Sequence, residues 1–149
     1  MFKSFALAMC ALAMTVSAAG VEGTWKLNIA KSKYTDTAPK EMTVTYTMQG
    51  GGWTYSAKGV SATGEPINRS YTFVKDGEEA KFTGNPNWDG IIVKNSASAR
   101  ISATYMRQGK AVGTSTRTIS SDGKTMTIRG NVTRPDGKKA TYVAVYDKQ

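Results

Sequence analysis

The chain of 149 residues has no histidine, one cysteine and four prolines. Each scarcity removes chemistry. Without histidine there is no Ser-His-Asp or Cys-His nucleophile, no imidazole base, no His-ligated zinc and no His-held haem. The one cysteine, Cys10, lies in an apolar run near the start. The rest of the chain therefore forms no disulfide and offers no thiol nucleophile or iron–sulfur ligand set. Carboxylates are also few, 11 against 20 Lys and Arg, for a formal charge of +9. No pair of acids stands at a spacing that suggests acid–base catalysis, and Glu78-Glu79 reads as a solvated pair at a turn. The expectation is a non-enzyme with no cofactor and no metal.

What is present begins with an export pattern. Lys3 gives a positive start, Ser4 to Val16 is apolar but too short to span a bilayer, and Ser17, Ala18, Ala19 and Gly20 are small. Residues 1–19 read as a cleaved signal peptide and 20–149 as one domain. Met9 before Cys10 is not small, so a lipid anchor is not expected. The location expected is periplasmic or secreted. Loss of Lys3 leaves a charge of +8 on about 130 residues. A domain of that size buries roughly two-thirds of its unfolded surface, enough to stand on its core alone.

The domain is divided by glycine turns. Lys75-Asp76-Gly77-Glu78, Ser121-Asp122-Gly123-Lys124 and Pro135-Asp136-Gly137-Lys138 carry the Asp-Gly hairpin signal, and Gln49 to Gly52, Thr63-Gly64 and Gln108-Gly109 resemble it. Gly64, Gly77 and Gly90 are 13 apart; Gly109, Gly123 and Gly137 are 14 apart. That spacing leaves one strand per turn. Between the turns, apolar and polar residues alternate. Met42, Val44, Tyr46 and Met48 oppose Thr43, Thr45 and Thr47; Trp53, Tyr55 and Ala57 oppose Thr54, Ser56 and Lys58. Period two with one apolar face is a half-buried strand. Ten strands follow, at about 23–29, 42–49, 53–60, 67–74, 79–83, 90–94, 99–107, 111–119, 125–133 and 139–147. No segment predicts a helix of three turns; Ala30 to Tyr34 predicts about one turn. Closure removes the exposed edges of such a meander. The fold expected is all-β, an up-and-down antiparallel barrel of about 8–10 strands, wide enough for one small ligand.

The two ends resemble the calycins, the superfamily of lipocalins and fatty-acid-binding proteins. Gly23-Thr24-Trp25-Lys26-Leu27 resembles their opening strand, in which Gly-x-Trp plugs one end of the barrel. Ala30 to Tyr34, Arg117 to Thr127 and Ala144 to Lys148 resemble further segments of the fatty-acid-binding branch, and the layout resembles small exported bacterial lipocalin-like proteins. The resemblance covers about a third of the chain. It implies that Trp25 closes the barrel and that Arg117 and Tyr146 hold a ligand carboxylate. It departs from that branch in three respects, one of them the export signal, since that branch is cytosolic. Ala144 stands where a second arginine is expected, and only about twelve residues stand where the branch has a helical lid.

With the apolar face turned inward, Tyr46, Trp53, Tyr55, Tyr71, Phe73, Tyr105, Met126, Ile128, Tyr142 and Tyr146 line the interior. So many inward hydroxyls need partners. Arg69 and Arg117 share the inward faces of their strands, where few carboxylates could meet them. Inside, an unpaired arginine calls for water or an external anion; at a rim it snorkels. Trp88 sits in a loop, Asn85-Pro86-Asn87-Trp88-Asp89, and either folds over the rim or gates the mouth. The functional expectation is an exported protein holding a small hydrophobic or amphiphilic anion through Arg117, Tyr146, Arg69, Tyr71, Tyr46, Tyr55, Tyr105 and Tyr142. The alternative is an interaction or inhibitor barrel with a filled core. The cations are spread along the chain, which with export argues against nucleic acid; the net charge favours anionic ligands or contact with an anionic envelope surface, and a monomer is expected. An outer-membrane barrel is disfavoured because strand 111–119 has no apolar lipid face.

Overall fold

The computed structural model describes residues 20–149. The predicted signal peptide lies outside the described residues. Eleven strands account for most of the chain: β1 (Gly23–Leu27), β2 (Lys33–Tyr34), β3 (Glu41–Gln49), β4 (Gly52–Val60), β5 (Pro66–Phe73), β6 (Glu79–Lys81), β7 (Gly90–Lys94), β8 (Arg100–Arg107), β9 (Lys110–Ile119), β10 (Thr125–Thr133) and β11 (Lys139–Lys148). Ten of them form an antiparallel wall in the order β5-β4-β3-β1-β11-β10-β9-β8-β7-β6. The first and last strands zip together, with Trp25 opposite Lys148 and Leu27 opposite Tyr146.

Turn chemistry sets this register. Gly50, Gly64, Gly77, Gly109, Gly123 and Gly137 all take positive φ, as the sequence turns require. Two expectations change. Gly90 is not a turn: it opens β7, where a Cβ would run into the Glu79 side chain. The predicted helical turn is a three-residue 3-10 turn, Ile29–Lys31, and Lys33 and Tyr34 then join the sheet as β2 beside β11. The strap between β1 and β3 thus hugs the wall and contains no α-helix.

The wall has a seam. Beside β5 the one backbone bridge across it is to Thr83, just past β6, which exchanges hydrogen bonds of 3.0 and 2.9 Å with Ser70. Gly84 sits beside it at φ 87°, with the Asn68 carbonyl where a side chain would start.

The barrel is packed at one end and hollow at the other. Trp25, Trp53, Phe73, Val93, Ile101, Ile119 and Met126 are buried near the turns at residues 50–51, 74–78, 95–99 and 120–124. Trp25 is fully buried, its Nε1 donating to the Val21 carbonyl at 2.8 Å and the Lys148 ammonium lying 5.4 Å from its ring centroid. Trp25, the tryptophan of the opening motif, is thus buried within the packed end. Outward positions carry Thr, Ser, Lys and Asn; among the described residues the exposed large hydrophobics are Ile29, Met48 and Val74. Met48 was expected inside with Val44 and Tyr46, but it is 44% exposed where β3 runs out past the packed end.

Candidate ligand-binding site

The hollow half is a cavity of about 240 Å³. Its mouth is framed by Thr37 and Pro39, Ser61 and Ala62, Asn85 and Asn87, and Ala140. All seven tyrosines of the chain line it. Alternation places them there: Tyr46, Tyr55, Tyr71, Tyr105, Tyr142 and Tyr146 occupy inward positions of β3, β4, β5, β8 and β11. Every predicted ligand residue lies on this wall: Arg117, Tyr146, Arg69, Tyr71, Tyr46, Tyr55, Tyr105 and Tyr142.

Arg117 forms the floor. Along the inward face of β9, Gly113, Ser115, Arg117 and Ile119 run from mouth to packed end. Arg117 is 5% exposed, and its Cζ stands 5.1 Å from the centroid of Tyr46, which projects from β3. The side chain therefore crosses the interior. Among the described residues, its Nε and Nη1 have no hydrogen-bond partner. Burial opposes the charge, but the oxygens of Tyr46, Tyr71, Tyr105 and Tyr55 outweigh it, and the guanidinium holds its proton more firmly than a free arginine. Among the described residues, the one carboxylate on the cavity wall, Asp36, is at the mouth and 3.1 Å from Arg134.

The tyrosines are held neutral. Burial pushes the hydroxyls of Tyr46, Tyr142 and Tyr146 well above the ordinary tyrosine value and raises Tyr55 and Tyr71, with Arg117 or Arg69 partly offsetting it. Tyr34 is pushed up to about 12 for the same reason. Some hydroxyls are satisfied inside. Tyr105 donates to Ser115 Oγ at 2.9 Å and lies 2.7 Å from the Tyr142 hydroxyl; Trp53 Nε1 donates to Tyr71 at 3.2 Å. The Tyr46 hydroxyl has no partner among the described residues.

Arg69 is half-buried on β5, two positions nearer the mouth than Tyr71, and it lines the cavity. It is thus neither at the floor nor free of the wall. Ala144, where the resemblance called for an arginine, is buried on the wall and leaves room there.

Three aromatic wall residues were absent from the predicted site. Tyr34 stacks on Tyr142 at 6.1 Å, Phe82 stacks on Tyr71 at 5.3 Å, and Trp88 stacks on Tyr105 at 4.0 Å and 16°. Trp88 folds over the rim. Its segment is held there by Arg107 Nη1, which donates to the carbonyls of Asn87 at 2.7 Å and Thr133 at 2.9 Å. The alternation Ala80, Phe82 against Glu79, Lys81 was the available signal for Phe82. A two-residue strand and a loop give no period, so Tyr34 and Trp88 had none.

The arrangement is an aromatic-lined cavity with a fixed cation at its base. Among the described residues no group of three or more Asp, Glu, His or Cys is placed to hold a metal.

Neither a protein-family model nor a curated protein matches the sequence. A solved structure does: the zebrafish ileal bile acid-binding protein complexed with cholic acid, at 12% identity, over 86% of this chain and 98% of that one, with a TM-score of 0.52. The fold is thus that of the fatty-acid- and bile-acid-binding barrels, as the end motifs implied.

Proposed function

We propose that this protein is an exported binding protein that holds a compact amphiphilic anion in the hollow half of its barrel, with the acid group on Arg117 and the apolar body between the aromatic walls. The carrying observation is the Arg117 guanidinium, buried at the floor of an open cavity with Nε and Nη1 unmet. A buried cation without a counter-ion is strongly unfavourable, and a charge-assisted hydrogen bond to a ligand returns roughly 1.5–3 kcal/mol. The bile acid-binding neighbour supports the reading at the level of the barrel. The cavity, at about 240 Å³, lies just under the usual 300–1,000 Å³ of small-molecule sites. That favours a compact acid over a long chain. The hollow half weighs against a barrel that works only through its loops.

The test is native mass spectrometry of the protein purified from its own cell envelope, followed by denaturation and small-molecule analysis. A co-purifying acid, released on denaturation and lost from Arg117→Ala, is the expected result. An empty protein that also takes up neither fatty acids nor aromatic acids would overturn the reading and point to a protein partner at the loops.

A further inference from the structure

Among the described residues, six buried side-chain nitrogen or oxygen atoms lack a hydrogen-bond partner. Five belong to cavity-wall residues: Tyr46 Oη, Arg69 Nε, Trp88 Nε1, and Arg117 Nε and Nη1. The sixth, Arg134 Nε, is part of a guanidinium already paired with Asp36 and Asp136. Buried polar groups are normally satisfied, so a concentration on one wall asks what completes them. Four of the five can only donate. The wall therefore calls for acceptors.

The donors fall at two depths. Arg117 and Tyr46 make the floor. Arg69 stands on β5 two residues nearer the mouth than Tyr71, a rise of about 6.6 Å along a strand. Both arginines face one cavity, and its one carboxylate among the described residues, Asp36, is taken by Arg134. A single anion on Arg117 leaves the second cation unmatched.

We infer that the ligand carries two acid groups, one seated on Arg117 and the other on Arg69, separated by an apolar body that packs against the aromatic cluster of Tyr55, Tyr71 and Phe82. This rests on the reading of the interior as an anion pocket and narrows it to compact dianions. These rings form one continuous aromatic cluster on the wall, with Tyr55 and Tyr71 4.8 Å apart at 26° and Tyr71 and Phe82 5.3 Å apart at 27°, and an aromatic spacer is the natural partner for it.

Isothermal titration at neutral pH and low salt, with 2-naphthoate against naphthalene-2,6-dicarboxylate, tests it. The readout is the ratio of the two affinities in wild type, Arg69→Gln and Arg69→Lys. One further charge-assisted contact makes the diacid about tenfold tighter in wild type. The ratio should fall to about one in Arg69→Gln and recover in part in Arg69→Lys, which restores a point charge. Binding of 2-naphthoate with no preference for the diacid overturns this inference and leaves the pocket reading standing. A preference that persists in Arg69→Gln also overturns it, by moving the second acid group elsewhere. Binding of neither acid overturns both. The wild-type ratio decides the matter if either variant fails to fold.

Discussion

Arg117 and Tyr46 meet across the barrel, the guanidinium carbon 5.1 Å from the ring centroid, although β10, β11 and β1 lie between their strands around the wall. The arginine thus divides the packed half from the hollow one. Replacing a buried, incompletely paired charge with an apolar side chain of similar length is often neutral or stabilising, by about 1–4 kcal/mol. Arg117→Met should therefore melt at or above the wild-type temperature while losing at least about tenfold in affinity for 2-naphthoate. Thermal denaturation and titration on the same samples separate the two. A destabilised Arg117→Met would instead assign the residue to the fold.

Trp88 is the tryptophan on the cavity wall; Trp25 and Trp53 are buried in the packed end. A ligand stacking near Trp88 should change its emission and leave the other two almost untouched. Trp88→Phe should keep the barrel, since the ring still covers Tyr105, and should abolish most of the ligand-induced fluorescence change. A full-size response in Trp88→Phe would place the ligand elsewhere.

The tyrosines predict how the protein meets alkali. Six hydroxyls are raised above the unfolded value of 10.0, chiefly by burial: Tyr34, Tyr46, Tyr55, Tyr71, Tyr142 and Tyr146. Below pH 10 both states hold these protons and stability does not depend on them. Above it the unfolded chain loses protons that the folded one keeps, so stability falls as pH rises, by up to about 1.4 kcal/mol per pH unit for each fully buried group. Tyr34 carries its part of this loss from 10 to about 12. Tyrosinate absorbance and circular dichroism, followed together, should change in one cooperative step above pH 10. A gradual rise of absorbance in a protein that stays folded would show the hydroxyls to be open to water.

Gly130 faces Tyr142 across the β10–β11 ladder, and a Cβ on it would lie 2.5 Å from the Tyr142 hydroxyl. Gly130→Ala should push that ring off the wall and break its 2.7 Å contact with Tyr105. The expected loss is about 1–3 kcal/mol, measured by denaturant unfolding, from overpacking and an unmet hydroxyl. Tyr142→Phe alone should cost less, because it removes the hydroxyl without moving the ring.

Much of this was legible in the sequence because strand and turn are local codes. The Asp-Gly turns at Gly77, Gly123 and Gly137 and the alternation along β3, β4 and β5 give wall, register and inward face together. Inward tyrosines follow from the same parity. What parity does not give is depth. Arg69 and Arg117 are both inward, yet one is half-buried on the wall and the other crosses the floor, because long side chains are placed by what they meet across the barrel. Segments without a period hid the rest: Tyr34 in a two-residue strand, and Trp88 in a loop tied by Arg107. The contrast between packed and hollow ends is likewise a property of closure, seen only when distant strands share a space.

The seam between β5 and β6 bears on shape. Around most of the circumference, neighbouring strands are joined by ladders of several residue pairs, whereas here the one backbone bridge is Ser70 with Thr83, just past β6. The wall is thus a ribbon rolled up and fastened at one rung. Its height is fixed by the ladders, while along this seam two backbone hydrogen bonds and the stack of Phe82 on Tyr71 hold it closed. Opening of the wall should therefore begin at this seam, with the amides of Ser70 and Thr83 exchanging ahead of those in the laddered strands.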